Sequence, residues 1–449
     1  MRHPASTSLR AAAPRRMARV MVAAFGWGGG MAGVRLVTSF ISIKVTAVYL
    51  GPAGLALVAQ FSNFISLLQS MLGQGLTTGI IRLAAEYGAD DARRRRVCAT
   101  ACRMGLALAG LATLVLLLAA PRISAWLLSD RQYAWLIALA GVAVAAAMVT
   151  DVLLGTLSVA REIGLVGTAT ILSTVLGLVV FAPSAHFWGV RGGLWASFAI
   201  LVLSALVSAG VVHLRSHGAR LGDFIGPFDR IEFRRLLGFY PMLLVNGALP
   251  PLALILVRDT LASALGLEQA GLWQATWRLS EAYQAVIISA TALYFMPSMG
   301  ERINDPPALR RQLLSTLGAA CGATAAMALL ICLLREPIVH VVFSASFRRV
   351  SSLMPLQLTG DVLKVAGWIL SMSLVAVVRT RAFIAVSVLS ALTLVAGTKA
   401  LVAGMGLDGV LWAYVGSGLV QVALGTFCLR DVLWPQAATL PAGLPAGRS

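Results

Sequence analysis

The sequence predicts an all-α polytopic membrane protein, with about twelve transmembrane helices in two parallel-repeat six-helix bundles around a central cavity and both termini cytoplasmic. Three observations predict it. Hydrophobic residues make up 58% of the 449 residues and charged residues 12%, where a soluble domain carries about 25% charged. Apolar runs long enough to cross about 30 Å of hydrocarbon as helices recur from one end of the chain to the other. Two eight-residue strings, GVRGGLWA at 189–196 and GLDGVLWA at 406–413, nearly coincide 217 positions apart.

The spans fall at 20–49, 54–84, 98–120, 133–158, 163–184, 190–213, 237–262, 269–298, 313–334, 351–378, 382–404 and 408–430. Basic residues collect in alternate connections: Arg15, Arg16 and Arg19; Arg93 to Arg96; Arg161; Arg230, Arg234 and Arg235; Arg310 and Arg311; Arg379 and Arg381. By the positive-inside rule these loops face the cytoplasm, and an even number of crossings returns the chain to its starting side. The net charge of +18 therefore reads as a topology signal near anionic lipid rather than a nucleic-acid footprint. The expected organisation is a basic segment 1–19, a first bundle 20–213, a cytoplasmic linker 214–236, a second bundle 237–430 and a cytoplasmic tail 431–449.

The basic lead and apolar stretch at the N-terminus resemble a secretory signal. The stretch is too long for a signal's apolar core and is expected to stay as the first helix. Cys98, Cys102, Cys321, Cys332 and Cys428 fall in or beside spans. Only the first two share a helix face, without a third ligand, so no metal or other cofactor is expected. GWGGG at 26–30 lacks the preceding strand and the Lys of a phosphate-cradling loop, and suits close helix packing or a bend.

The 217 offset recurs elsewhere. Ala53-Gly54-Leu55 opens the second span as Ala270-Gly271-Leu272 opens the eighth, and Arg93 and Arg94 return as Arg310 and Arg311. Six spans per half put both halves in the same orientation, a plan that places a substrate cavity between repeats.

Ionisable residues inside spans are costly and normally face protein, water or substrate. The candidates are the cations Arg35, Lys44, Arg258, Arg278 and Lys364 and the carboxylates Asp151, Asp259, Glu281 and Asp361. Arg35 lies near mid-membrane. Arg278 with Glu281, and Asp361 with Lys364, stand three apart on one helix face, so each pair is able to neutralise itself. Lys44 and Arg258 sit nearer the outer ends, within snorkelling reach of the interface, and Pro250 and Pro251 precede Arg258 at a position that favours a kink. Asp151 is suited to carry a proton or to cap a neighbouring helix. The set leans basic, which suits an anion, and a pyrophosphate suits arginine's planar fork.

LGPAGLALVAQF at 50–61, GLWQATWRLSEAYQ at 271–284 with Pro297 beyond it, and GDVLKV at 360–365 together resemble the Wzx-type flippases of the MOP exporter superfamily, the group of lipid III flippases and O-antigen translocases. The likeness runs from about Arg35 to Arg430. It implies an inner-membrane protein that moves an undecaprenyl-pyrophosphate-linked oligosaccharide to the periplasmic leaflet, with a polysaccharide polymerase and chain-length machinery as partners. Arg35, Lys44 and Arg258 fall on basic positions of that family, and Gly360 to Lys364 match its string. Arg278, Glu281 and Asp151 depart from it, standing where the family has a small polar residue, an aspartate and an asparagine. A multidrug or cation antiporter of the related extrusion family is the alternative, disfavoured by a basic cavity. A membrane polymerase would need a larger outer loop than REPIVHVVFSASFRR at 335–349.

Overall fold

The computed structural model describes residues 37–73, 91–160, 162–216, 228–302 and 305–434, with positions 33, 34, 79, 80, 83, 86 and 87. Arg35, Arg161, GWGGG and half of the first expected span lie outside the described residues. Within them the chain is helical, without strands. In order the helices are α1 (Val37–Tyr49), α2 (Gly51–Leu72), α3 (Asp91–Leu127), α4 (Ala134–Val159), α5 (Ile163–Arg215), α6 (Arg230–Leu265), α7 (Leu267–Glu301), α8 (Pro306–Leu333), α9 (Arg335–Val342), α10 (Val350–Ala376), α11 (Thr380–Met405), α12 (Leu407–Cys428) and the single turn α13 (Arg430–Leu433).

Their starts follow from local chemistry. Asp229 accepts hydrogen bonds from the backbone N–H of Ile231 and Glu232 at the head of α6, and Asp305 accepts one from Ala308 at the head of α8. Both satisfy donors that a helix start leaves open. Pro52 stands in the first turn of α2, where its missing N–H costs nothing.

Nine helices among the described residues are long and apolar enough to cross a membrane, so this is a multi-pass membrane protein. Three features separate nine from the expected twelve. Of the first span, the helix described is the 13-residue Val37–Tyr49, which is too short to count. The 53-residue α5 contains two expected spans, 163–184 and 190–213, joined at Gly189. Helix α7, with Arg278 and Glu281 in its middle, is not among the nine.

The repeat is visible in the backbone. Gly189 has φ 55° and ψ −135°, and Gly406 has φ 59° and ψ −134°. This left-handed conformation is open to glycine at little cost and turns one helix into the next. The first arm of α5 (163–188) thus corresponds to α11 and its second arm (190–215) to α12.

Contacts divide the chain into two compact units, Met1–Arg278 with Glu336–Ser352, and Leu279–Arg335 with Leu353–Ser449. The core of the first is built on Phe61, Leu136, Ile137, Val144 and Ile255. At Gly141 a Cβ would lie 2.1 Å from the Thr113 hydroxyl, so α3 and α4 touch through a small residue. The second is built on Phe295, Leu313, Ile369, Leu374 and Val386. There α10 and α12 meet at glycines: a Cβ on Gly418 would stand 2.8 Å from Leu363 Cβ, and one on Gly425 2.9 Å from Leu370 Cβ.

Candidate functional site

In the first unit a cavity of about 310 Å³ is lined by Thr38, Ser39 and Ser42 of α1, Ser173, Thr174, Gly177, Leu178 and Phe181 of α5's first arm, Ile200 of its second arm, and Arg278 of α7. Among the described residues that line it, the half-buried Arg278 is the one cation and none is acidic. Two hydroxyls are committed to their own helices, Thr38 to the Val34 carbonyl at 2.7 Å and Thr174 to the Thr170 carbonyl at 2.7 Å. The Ser173 hydroxyl is buried with no hydrogen-bond partner among the described residues, a cost unless something meets it. One guanidinium and five hydroxyls form a donor-rich lining suited to phosphate or sugar oxygens.

The second unit holds a different polar cluster. Asp361, fully buried on α10, accepts hydrogen bonds from the Tyr283 hydroxyl of α7 at 2.7 Å, the Tyr414 hydroxyl of α12 at 2.9 Å and the Gln357 amide at 3.2 Å. Gly360 makes this possible, because a Cβ there would lie 2.4 Å from the Tyr414 ring. Lys364 turns elsewhere, donating to the Ser390 hydroxyl at 3.3 Å and the Gln421 amide oxygen at 3.3 Å, with its ammonium 5.8 Å from the Tyr414 ring centre. Asp361 and Lys364 therefore do not neutralise one another, although their spacing allows it. Neighbouring helices supply closer partners, and a polar group in an apolar core takes the best geometry available.

The remaining sequence candidates separate. Arg258 does not snorkel: it is 2% exposed, donating to the Gln60 and Gln274 side-chain oxygens, with its guanidinium 5.7 Å from the Trp273 ring centre. In its favoured amide orientation Asn63 accepts from the same guanidinium at 3.2 Å. Lys44 reaches neither a cavity nor a carboxylate in its hydrogen bonds. It donates to the carbonyl of Val341 at 2.6 Å and of Phe343 at 3.5 Å, where a cation suits the end of α9. Ser344 returns a bond to the Ala47 carbonyl at 3.1 Å. Asp151 on α4 stands beside Gly73, which closes α2; a Cβ there would be 3.7 Å from its carboxylate oxygen. Glu281 is exposed, Asp259 half-buried, and Arg35 lies outside the described residues.

Sequence reasoning missed the hydroxyls of Thr38, Ser39, Ser42, Ser173 and Thr174, and the partners Tyr283, Tyr414, Gln60 and Gln274. The signal present was small: Thr38 and Ser42 are four apart, on one helix face beside Arg278.

A family profile described as polysaccharide biosynthesis protein matches residues 28–301. The chain belongs to that family. This polysaccharide biosynthesis protein is 26% identical over 412 residues to the lipid III flippase of Escherichia coli (strain K12), covering 92% of the chain and 98% of the relative. The same values relate it to the lipid III flippase of Shigella flexneri. Its fold is similar to an inward-facing multidrug resistance MATE family transporter of the MOP superfamily, with TM-score 0.76 and 17% identity over 89% of this chain and 98% of that one. It is also similar to the lipid II flippase MurJ in an inward closed conformation, with TM-score 0.69 and 11% identity over 90% and 87% of the two chains.

Proposed function

We propose that this membrane protein is a flippase, a transporter and not an enzyme, that moves an undecaprenyl-pyrophosphate-linked oligosaccharide, a lipid III or O-antigen unit, from the cytoplasmic to the periplasmic leaflet of the inner membrane. The observation that carries this reading is the cavity in which Arg278 faces five hydroxyls without a lining carboxylate. The kinship with lipid III flippases over nearly the whole chain supports it.

The pyrophosphate needs charge compensation inside the membrane, and a guanidinium fork donates two hydrogen bonds to one phosphate. Arg278 supplies that fork, and Arg35, three positions before Thr38 in sequence, supplies a second cation. The hydroxyls meet the remaining phosphate oxygens and the first sugar, while the polyprenyl chain stays in lipid. Alternating access between the bundles 20–213 and 237–430 exposes the site to each leaflet in turn, and no covalent step is required. Asp361 and Lys364 form a fixed polar core in the second unit, with Arg258 doing the same in the first. A polymerase and its chain-length machinery consume the delivered unit.

Transbilayer movement of an undecaprenyl-pyrophosphate oligosaccharide in liposomes tests this. Wild type moves it. Arg278→Ala moves it at least about tenfold more slowly, the scale of one lost charged hydrogen-bonding group, with Arg278→Lys in between. Full movement by Arg278→Ala removes the cavity from the mechanism. No movement by wild type, with efflux of an organic cation instead, makes the protein a cation antiporter.

A further inference from the structure

Three tryptophans converge elsewhere in the first unit. Trp135 at the start of α4, with Trp188 and Trp195 on either side of the Gly189 kink, surrounds a cavity of about 360 Å³ together with Arg191 and Gly192. The three indoles leave 42%, 66% and 44% of their surfaces uncovered, so they form an open bowl rather than part of the core. Arg191 donates one hydrogen bond to the Gln132 side-chain oxygen. Gln132 is itself held by Asp130, which accepts from its backbone N–H at 2.9 Å and also from its amide. The guanidinium is thus oriented from one side while its other donors remain for a ligand.

Tryptophans at the ends of membrane helices commonly form an interfacial belt. A belt requirement would act equally on the repeat. At positions 217 later stand Ser352, Met405, Asp408 and Trp412, so two of the three indoles are absent and the charge is reversed. The cluster belongs to one repeat only, on a backbone both share. By the distribution of arginines the Gly189 kink lies at the outer end of its helices, opposite the basic loops.

We propose that this bowl binds the phosphate headgroup of an anionic phospholipid at the outer interface. Its walls are almost wholly apolar, which matches glycerol and upper acyl chain, and its one cation matches one phosphate. A sugar's hydroxyls need acceptors as well as donors, and the lining side chains, Arg191 and three indole N–H groups, supply donors only. The site is separate from the Arg278 cavity and stands or falls independently of the flippase reading.

Lipid retention on purified full-length protein, followed by native mass spectrometry with phosphatidylglycerol and phosphatidylcholine, tests it. Wild type retains phosphatidylglycerol preferentially. Arg191→Gln weakens phosphatidylglycerol binding about tenfold and phosphatidylcholine less, because the choline cation already offsets that lipid's phosphate, so the preference between the two is lost. The double variant Trp188→Ala/Trp195→Ala weakens both lipids, and Trp412→Ala weakens neither. Unaltered thermal midpoints show that each variant is folded. Because Arg191→Gln sits on the surface, it keeps the test open even if the double variant unfolds. Equal retention of the two lipids by wild type overturns the proposal, as does an Arg191→Gln protein that still prefers phosphatidylglycerol. Displacement of phosphatidylglycerol by a soluble oligosaccharide overturns it in favour of a glycan site.

Discussion

Residues 163–215 and 380–428 are the same structure carrying different chemistry. Gly189 and Gly406 turn the chain through nearly identical angles. A Cβ on Gly192 would meet the Ser184 carbonyl oxygen at 1.8 Å, and one on Gly409 the Leu401 carbonyl at 2.7 Å; Ser184 and Leu401 are themselves 217 apart. The side chains diverge at equivalent places. Ser173 lines an open cavity, whereas its counterpart Ser390 closes onto the Ser417 carbonyl at 3.0 Å and receives Lys364. Gly177 leaves room where Leu394 fills it. Asp361 stands where the first repeat has the buried Val144, and Arg278 where it has Phe61. Duplication preserved what the backbone requires, and each polar device exists once. An asymmetric ligand needs unlike surfaces, so the residues that break the repeat are the ones to test.

The largest effect is expected from placing one repeat's residue in the other at the most buried polar point. Asp361→Val takes their shared acceptor from the Tyr283 hydroxyl and the Gln357 amide in a fully buried place, and one of its partners from Tyr414. At about 1–3 kcal/mol per stranded group, partly relieved by rearrangement, the cost is about 4 kcal/mol. Val144→Ala at the equivalent site costs about 2 kcal/mol. Thermal unfolding in detergent compares them, and equal losses would mean that Asp361 is no more structural than the valine it replaces. Next come the glycines on which the repeats agree. Gly192→Ala drives a methyl into a carbonyl and should cost about 3 kcal/mol, with Gly409→Ala slightly milder. A tolerated alanine at one but not the other would break the backbone equivalence.

A functional contrast sharpens the comparison further. Gly177→Leu copies the second repeat's Leu394 into the Arg278 cavity, where the added Cβ would lie 3.3 Å from Ile200. Stability should fall by about 1–3 kcal/mol, because the Cβ presses on Ile200 although the rest of the side chain enters the cavity. Oligosaccharide movement in liposomes should fall about tenfold or more, as expected when a ligand's space is occupied. Undiminished movement would place the substrate elsewhere.

Much of this was legible from residues alone. Most span positions and the duplication follow from hydropathy and from one string written twice, because lipid leaves helices few alternatives; the turn at Gly189 falls in the gap between two expected spans. The candidate cations were named, but their partners were not. Asp361 and Lys364 share a helix face, yet Tyr414 and Ser390 lie 53 and 26 residues away from them along the chain. Lys44 reads as a cavity cation until α9, 297 residues on, presents its carbonyl. Serine and threonine inside an apolar run carry little periodic signal beyond the four-residue spacing of Thr38 and Ser42, so the hydroxyls around Arg278 emerge only when α1, α5 and α7 come together.

The smallest expected effect concerns the ends of the same two arms. In the second repeat Arg379 grips the Asp431 carboxylate with both terminal nitrogens; in the first, its counterpart Glu162 accepts a hydrogen bond from Ser216. Each contact joins the start of one arm to the end of the next. The ion pair is exposed, at 37% and 58% of the two side chains, so Asp431→Ala should cost less than about 1 kcal/mol. Raising salt towards 1 M, where screening acts within about 3 Å, should erase the difference. The Arg379 hydrogen bonds hold the Asp431 carboxyl below the usual carboxylate range. A lowered folded value contributes stability above the unfolded value of about 4 that disappears as pH falls further. Unfolding midpoints of wild type and Asp431→Ala should therefore converge below about pH 4 and differ slightly at neutral pH. Ser216→Ala should show a weaker salt dependence, since the hydroxyl it removes carries no charge of its own, while any acid dependence follows the Glu162 carboxylate to which that hydroxyl donates. A Ser216→Ala as salt-dependent as Asp431→Ala would mean that the first repeat holds its arms by charge as well.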